Sequence, residues 1–154
     1  GTRIAALDDG RFDAIVLACA GLDRLGLAER ISERLPITQL LPAVGQGALG
    51  LECRADDALT IERLGAVEHG ATRRAVEAER EVCRALGASC TSPLGVYGRG
   101  AGEGALRLSV RIANRGRVVE AEGSAPADGS RDVETARVLA EDVLARGGRE
   151  LLHA

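Results

Sequence analysis

The chain alternates between nearly continuous apolar runs and stretches where apolar residues recur every three or four positions. Residues 4–7 read as the end of a helix, and Asp8-Asp9-Gly10 punctuates it. Residues 12–20 (FDAIVLACA) are almost uninterruptedly apolar and β-branched at their centre, the pattern of a strand buried on both faces. Over residues 22–35, Leu22, Leu25, Leu27, Ile31 and Leu35 take helical spacing, and Pro36 stops that helix. A strand followed by a helix predicts α/β architecture here. Residues 48–53 form a second candidate buried strand. Residues 55–67 predict a short helix, with Asp56 or Asp57 near its start where the helix dipole favours an acid.

A break at His69-Gly70 precedes a different pattern. Residues 71–86 are helical in period, with Ala75, Val76, Glu79, Val82, Cys83 and Leu86 recurring near every 3.6 positions. Glu77 and Glu79 read as helix surface, as do Arg73, Arg74, Arg80 and Arg84. Gly87 is a C-terminal stop. Residues 88–93 (ASCTSP) form a loop of small polar residues. Strands follow at 94–97, 106–112 and 118–123, the last two joined by a hairpin turn at Asn114-Arg115-Gly116 and the first two by the Gly/Glu-rich stretch 98–104. Ser130 is placed to cap a final helix over 131–146, with Asp132 and Glu134 in its first turn and Gly147-Gly148 ending it. Residues 149–154 are a short tail or a last piece of strand. Helix, three strands, helix predicts a small α+β domain: a three-stranded antiparallel sheet with helices on one face.

Composition narrows the function. Of 154 residues 45% are hydrophobic, enough for a buried core, but only 1% are aromatic, so that core is built from Leu, Val, Ile and Ala. The scarcity of aromatics and a net charge of −3 argue against nucleic-acid binding. No apolar run approaches a membrane span, no signal peptide is visible, and a cytoplasmic location is expected. The chain opens at Gly1 without Met, which leaves room for a natural start upstream that would hide any targeting segment. All 20 basic residues are Arg, so no lysine can form a Schiff base and every fixed positive charge is a fork suited to carboxylates or phosphates.

Four residues or segments could carry chemistry. Cys90 lies in a polar loop after a helix, outside any apolar stripe: either a reactive thiol or an inert, half-exposed one. Cys19, Cys53 and Cys83 lie among apolar residues and read as small hydrophobes. No CxxC pair exists and His69 and His153 are distant from any, so no zinc site is expected. The glycine-rich VGQGA of residues 44–48 brings backbone close to a ligand or forms a crossover between domains. It lacks the spacing and Lys of a phosphate loop. Arg3 and Arg24 read as surface residues, and two histidines assemble no Ser-His-Asp set.

Several strings taken in order resemble the porphobilinogen deaminase (hydroxymethylbilane synthase) family, in its C-terminal half. They are FDAIVLACAGLDRLGL at 12–27, LPAVGQGALGLECR at 41–54, AER at 78–80, LGASC at 86–90 and PLGVY at 93–97. LPAVGQGA is the most specific, and the resemblance runs from Thr2 to the final helix. It implies three pieces. Residues 1–48 would end a second, α/β domain, a partial periplasmic-binding-protein-like lobe; residues 49–67 would return to complete a first domain; and residues 68–154 would form the C-terminal, cofactor-carrying α+β domain. It implies a transferase of tetrapyrrole (haem) biosynthesis that condenses four porphobilinogen molecules head to tail with release of ammonia. A covalent dipyrromethane cofactor primes the chain, and Cys90 matches its thioether attachment point. Soft sulfur suits capture of the electrophile left when ammonia departs. Arg3 and Arg24 match arginines that hold carboxylates of substrate and cofactor, Ala18 and Gly21 lie where backbone approaches the cofactor, and Gln46 marks the interdomain crossover. Two departures stand out. Ala88-Ser89 replaces the Gly-Gly that often precedes the cysteine, and the family's catalytic Asp and its lysine belong to the N-terminal half, outside this chain. The expected partners are porphobilinogen, the growing polypyrrole and the missing N-terminal half, with no nucleic acid or membrane and a monomeric full-length enzyme. The alternative is a non-catalytic module binding a small carboxylate through Arg3 and Arg24, in which no thiol at position 90 is needed.

Overall fold

The computed structural model describes residues 1–152. His153 and the end of the predicted tail lie outside the described residues. The chain divides into two compact units, Gly1–Pro36 and Ile37–Ala154.

In the first unit, helix α1 spans Thr2–Asp8 and helix α2 spans Cys19–Arg24, followed by a 3-10 turn at Ala28–Arg30. Two expectations fail. The helix foreseen over 22–35 ends at Arg24 because Gly26, at φ +68°, turns the chain left-handed. The Leu27 and Gly26 amides then donate back to the carbonyls of Leu22 and Asp23 at 2.9 and 3.1 Å, closing the helix. Nor do residues 12–18 form a strand. A strand needs partners for its backbone groups, and the described residues supply none, so Phe12 and Val16 stand 52% and 68% exposed. Two ion pairs brace this unit: Arg30 with Asp8, and Arg34 with Asp23.

The second unit carries the sheet. Helix α3, Ala58–Gly65, starts where an acid was expected: Asp57 caps it, accepting from the Thr60 amide at 3.0 Å. Residues 48–53 are irregular rather than a strand, again without a pairing partner, and Leu49 and Leu51 are 77% and 64% exposed. Helix α4, Gly70–Ala85, is capped by the His69 ring, whose Nδ1 accepts from the Thr72 amide. Strands β1 (Leu94–Gly100), β2 (Leu106–Asn114) and β3 (Arg117–Ala125) form an antiparallel sheet in the order β1-β2-β3. The β2–β3 connection is the predicted hairpin, with Arg115 and Gly116 both at positive φ between paired Asn114 and Arg117. Helix α5, Asp132–Val143, runs into a widened turn at Leu144–Gly148 and then a short helix α6, Arg149–Leu152, where a tail or strand was expected. Ser130 does not cap α5. Its hydroxyl donates to Asp128 at 2.7 Å, and Arg131 takes the cap position.

Alternation along the strands sets the core. Val96, Leu106, Leu108, Val110, Ile112, Ala121 and Ala125 point to one face and meet Ala78, Val82 and Leu86 of α4 and Ala136, Leu139, Ala140 and Val143 of α5. The domain is therefore α+β with helices on one face of a three-stranded sheet, as the sequence predicts. The other face carries charged ladders, Arg107 and Ser109 with Glu122 and Arg111 with Glu120.

Segment 38–47 wraps the β1 side of this sheet. Carbonyls of Thr38 and Gln39 accept from Arg111 on the outer face, and the Pro42 carbonyl accepts from the Val96 amide at 3.0 Å on the β1 edge. Leu41 lies so close to β1 that a Cβ at Gly95 would sit 2.7 Å from the Leu41 Cβ and 3.0 Å from its carbonyl oxygen. Gly95→Ala should therefore push this segment off the sheet and lower the unfolding free energy of the second unit by about 1–3 kcal/mol. A stability change within about 0.5 kcal/mol would contradict the tight contact.

Candidate functional site

Cys90 sits at the tip of the turn that leads from α4 into β1. The helix closes with the Gly87 and Ala88 amides donating to Arg84 and Cys83 carbonyls, both at 3.0 Å. The half-buried Cys83 thiol donates back to the Ala88 carbonyl at 3.4 Å. Beyond it the loop is tied by its own hydroxyls. The Ser89 amide donates to Ser92 Oγ at 2.9 Å, the Ser92 amide donates to the Ser89 carbonyl at 3.1 Å, and the Ser89 and Thr91 hydroxyls lie 2.9 Å apart. The Pro93 carbonyl then accepts from Ala113 of β2. The polar groups of the turn are satisfied internally, and the thiol of Cys90 is exposed while the other three cysteines are half-buried. An accessible sulfur on a braced loop can form a bond to a bulky electrophile without the loop unfolding. The Ser89 hydroxyl adds bonds to this turn that a glycine would lack.

In the first unit, Ala18 is the N-terminal cap of α2, and Gly21 and Arg24 lie on that helix, so the three are brought together on one short element. Arg3 is on α1. All four are exposed. Arg34 is committed to Asp23 and holds that carboxyl below the usual carboxylate range through a direct hydrogen bond. By contrast Arg3 and Arg24 make no ion pair among the described residues, which leaves both guanidinium forks available for an external carboxylate. Gln46 belongs to the second unit, exposed in a turn over 44–47 where its amide donates to the Ala43 carbonyl at 3.0 Å.

Two residues assigned to helix surface from sequence are not there. Arg74 is half-buried and grips Asp132 of α5 through Nε and Nη2 at 2.7 and 2.8 Å, while its Nη1 donates to the Gly104 carbonyl. Glu79 is 5% exposed. Its two carboxylate oxygens accept from the Gly45 and Gly98 amides, each at 2.7 Å. A signal was present: Glu79 falls three residues after Val76 and three before Val82, within the apolar stripe of α4.

Burial pushes the Glu79 carboxyl above the ordinary glutamate range, and the Gly98 and Gly45 amides offset only part of that. Because the folded state holds this proton more tightly than the unfolded chain, Glu79's contribution to stability is fully present below the ordinary glutamate value. It is lost as pH rises through its own raised value. Chemical denaturation of the chain and of Glu79→Gln should therefore show a difference that shifts against the wild type as pH climbs through that window. A difference independent of pH would contradict the assignment.

Comparison with known proteins places the chain. Residues 1–62 match the family model for the porphobilinogen deaminase dipyrromethane cofactor-binding domain, and residues 73–146 match the model for the porphobilinogen deaminase C-terminal domain. The second match contains the Cys90 loop. The porphobilinogen deaminase of Xanthomonas oryzae pv. oryzae is 47% identical over 154 residues, covering 99% of this chain and 50% of the relative. That of Desulforudis audaxviator is 46% identical over 153 residues, covering 98% and 48%. The chain thus spans about half the length of the curated relatives it matches. With the two family domains matched in order and LPAVGQGA intact within the first match, the chain belongs to the porphobilinogen deaminase family.

Proposed function

We propose that the chain is the C-terminal portion of a hydroxymethylbilane synthase, the transferase that condenses four porphobilinogen molecules head to tail with release of ammonia, and that Cys90 carries its dipyrromethane. The observation that carries this reading is the exposed thiol on a self-braced loop, in a chain whose first 62 residues match the family's dipyrromethane-binding domain. The residues fit the group. A thioether at Cys90 forms when an aminomethyl pyrrole loses ammonia: one C–N bond breaks, one C–S bond forms, and the thiol proton leaves with the ammonia. When bound, dipyrromethane supplies the pyrrole end from which the chain grows. Arg3 and Arg24 bind acetate and propionate carboxylates of cofactor and substrate. Backbone at Ala18 and Gly21 lines the approach, and Gln46 marks the crossover between domains. In this reading residues 1–48 end a periplasmic-binding-protein-like lobe, residues 49–67 complete the preceding domain, and residues 68–154 are the cofactor-carrying domain of a cytoplasmic, monomeric enzyme.

The partner is the N-terminal half of the same enzyme. Phe12, Val16, Leu49 and Leu51 lie in two apolar stretches that find no strand partner among the described residues, and the relatives carry about as much chain again. The general acid–base carboxylate and the lysine of the family belong to that half. The isolated chain is therefore expected to form no bilane from porphobilinogen, assayed by the absorbance of the oxidised product, and detectable turnover would overturn the division of labour. Intact-mass measurement after assembly with the N-terminal half tests the reading itself. A dipyrromethane-sized addition mapped to Cys90 supports it, and an unmodified Cys90 in the assembled protein leaves a carboxylate-binding module instead.

A further inference from the structure

Glu79 joins three parts of the second unit that are remote in sequence. It stands on α4, one oxygen accepts from Gly98 on the outer edge of β1, and the other accepts from Gly45 in the turn over 44–47. The Gly98 amide needs this acceptor because it points away from β2, as does the neighbouring Val96 amide that Pro42 satisfies. The Gly45 amide belongs to the turn that presents Gln46. Carboxylate is the one side-chain group that offers acceptors to two amides at once without an added donor. An amide side chain would set its NH2 against one of the N–H groups. A protonated acid would do the same with its hydroxyl.

We propose that Glu79 is a positioning residue whose two carboxylate oxygens latch the Gly45-Gln46-Gly47 turn to the edge of the sheet, so that loss of one acceptor frees the turn while the core stays folded. The latch rests on the reading of Gln46 as the crossover residue only for its consequence, which is the placement of Gln46 during catalysis. Two features give it its character. Gly98 is fixed within a strand, whereas Gly45 lies in a half-exposed turn outside the sheet, so loss of one acceptor falls on Gly45. And no other ionisable group competes. Glu79 makes no ion pair among the described residues. On its own helix Cys83 stands one turn on, and Arg74 and Glu81 are engaged with Asp132 and with Arg84 and Arg137. Tyr97 and Arg99 of β1 alternate to the outer face, where Arg107 and Arg111 of β2 are also engaged, and the 44–47 turn holds no titratable side chain. The carboxylate is thus held by the two amides alone, and replacing it breaks no ion pair among the described residues.

The test is amide hydrogen exchange and amide chemical shift in this chain by NMR. In the wild type, the Gly45 and Gly98 amide shifts should titrate together with one midpoint. Gly45 exchange should be about tenfold less protected in Glu79→Gln than in the wild type, the effect of one lost charge-assisted hydrogen bond. Leu108 and Val110 should keep their protection throughout. Equal loss at all four amides would mean a structural role only, and a Gly45 amide indifferent to the substitution would remove the latch. If Glu79→Gln does not fold, the wild-type titration decides alone. None of these outcomes depends on the state of Cys90, so the latch and the cofactor reading fail separately.

Discussion

Replacing Cys90 with serine, in protein assembled with the N-terminal half of the enzyme, is expected to abolish the covalent mass addition completely while leaving the fold unchanged. The loop explains why both follow. None of its internal hydrogen bonds runs through the Cys90 side chain: Ser89, Thr91 and Ser92 close the turn among themselves. The sulfur is therefore free of structural duty and is the atom presented to solvent. A serine hydroxyl has a proton far harder to remove and a less polarisable nucleophile, so the modified fraction should drop from essentially all molecules to none. Cys83→Ser is the control, since that thiol is half-buried and hydrogen-bonded to Ala88; the addition should persist there. An addition that survived on Cys90→Ser would move the attachment elsewhere and sink the assignment.

The largest expected effect on stability comes from Leu108→Ala. Leu108 is fully buried at the centre of β2, between Leu106 and Val110, beneath both α4 and α5. With almost no aromatics, this core is filled by aliphatic side chains that interlock, and no large ring is available to lean into a gap. The substitution should cost about 2–5 kcal/mol, the sum of lost burial and the cavity left behind. That is a large part of what a small domain has to lose. Urea unfolding followed by far-ultraviolet circular dichroism measures it. Val118→Ala, on the exposed side of β3, serves as the reference and should stay within about 0.5 kcal/mol. Comparable losses at both positions would contradict the two-faced sheet.

How legible the fold was from sequence depended on where the partners of each element lie. The hairpin β2–β3, helix α4 and the Asp57 cap rest on contacts within a few residues or on clean periodicity, and the structure follows them. The apolar runs at 12–20 and 48–53 carry the composition of buried strands, yet a strand is defined by its neighbours, and none of the described residues pairs with them. Gly26 ends α2 through one backbone conformation that the surrounding leucines mask in a periodicity count. The candidate site divides in the same way. Cys90 was visible because it breaks the apolar pattern. Glu79 and Arg74 read as helix surface because a charge at helical spacing is ordinarily solvated, and only the three-dimensional approach of Gly45, Gly98 and Asp132 gives those charges partners within the fold.

The wrap of segment 38–47 along the sheet has a consequence for how this chain behaves at high concentration. A free strand edge recruits strands from other molecules, and the β1 edge would be well suited to it, glycine-rich and bearing a single charged side chain, Arg99. The Pro42 carbonyl and the Glu79 carboxylate occupy two of its outward amides, those of Val96 and Gly98, so the middle of the edge is covered by the chain itself. The opposite edge, β3, alternates Arg117, Glu120 and Glu122 along its length, and like edges approaching one another would bring those carboxylates together. Solubility of this domain is thus defended asymmetrically, by occupancy on one side and by charge on the other, and conditions that loosen the segment expose the side on which charge offers little defence.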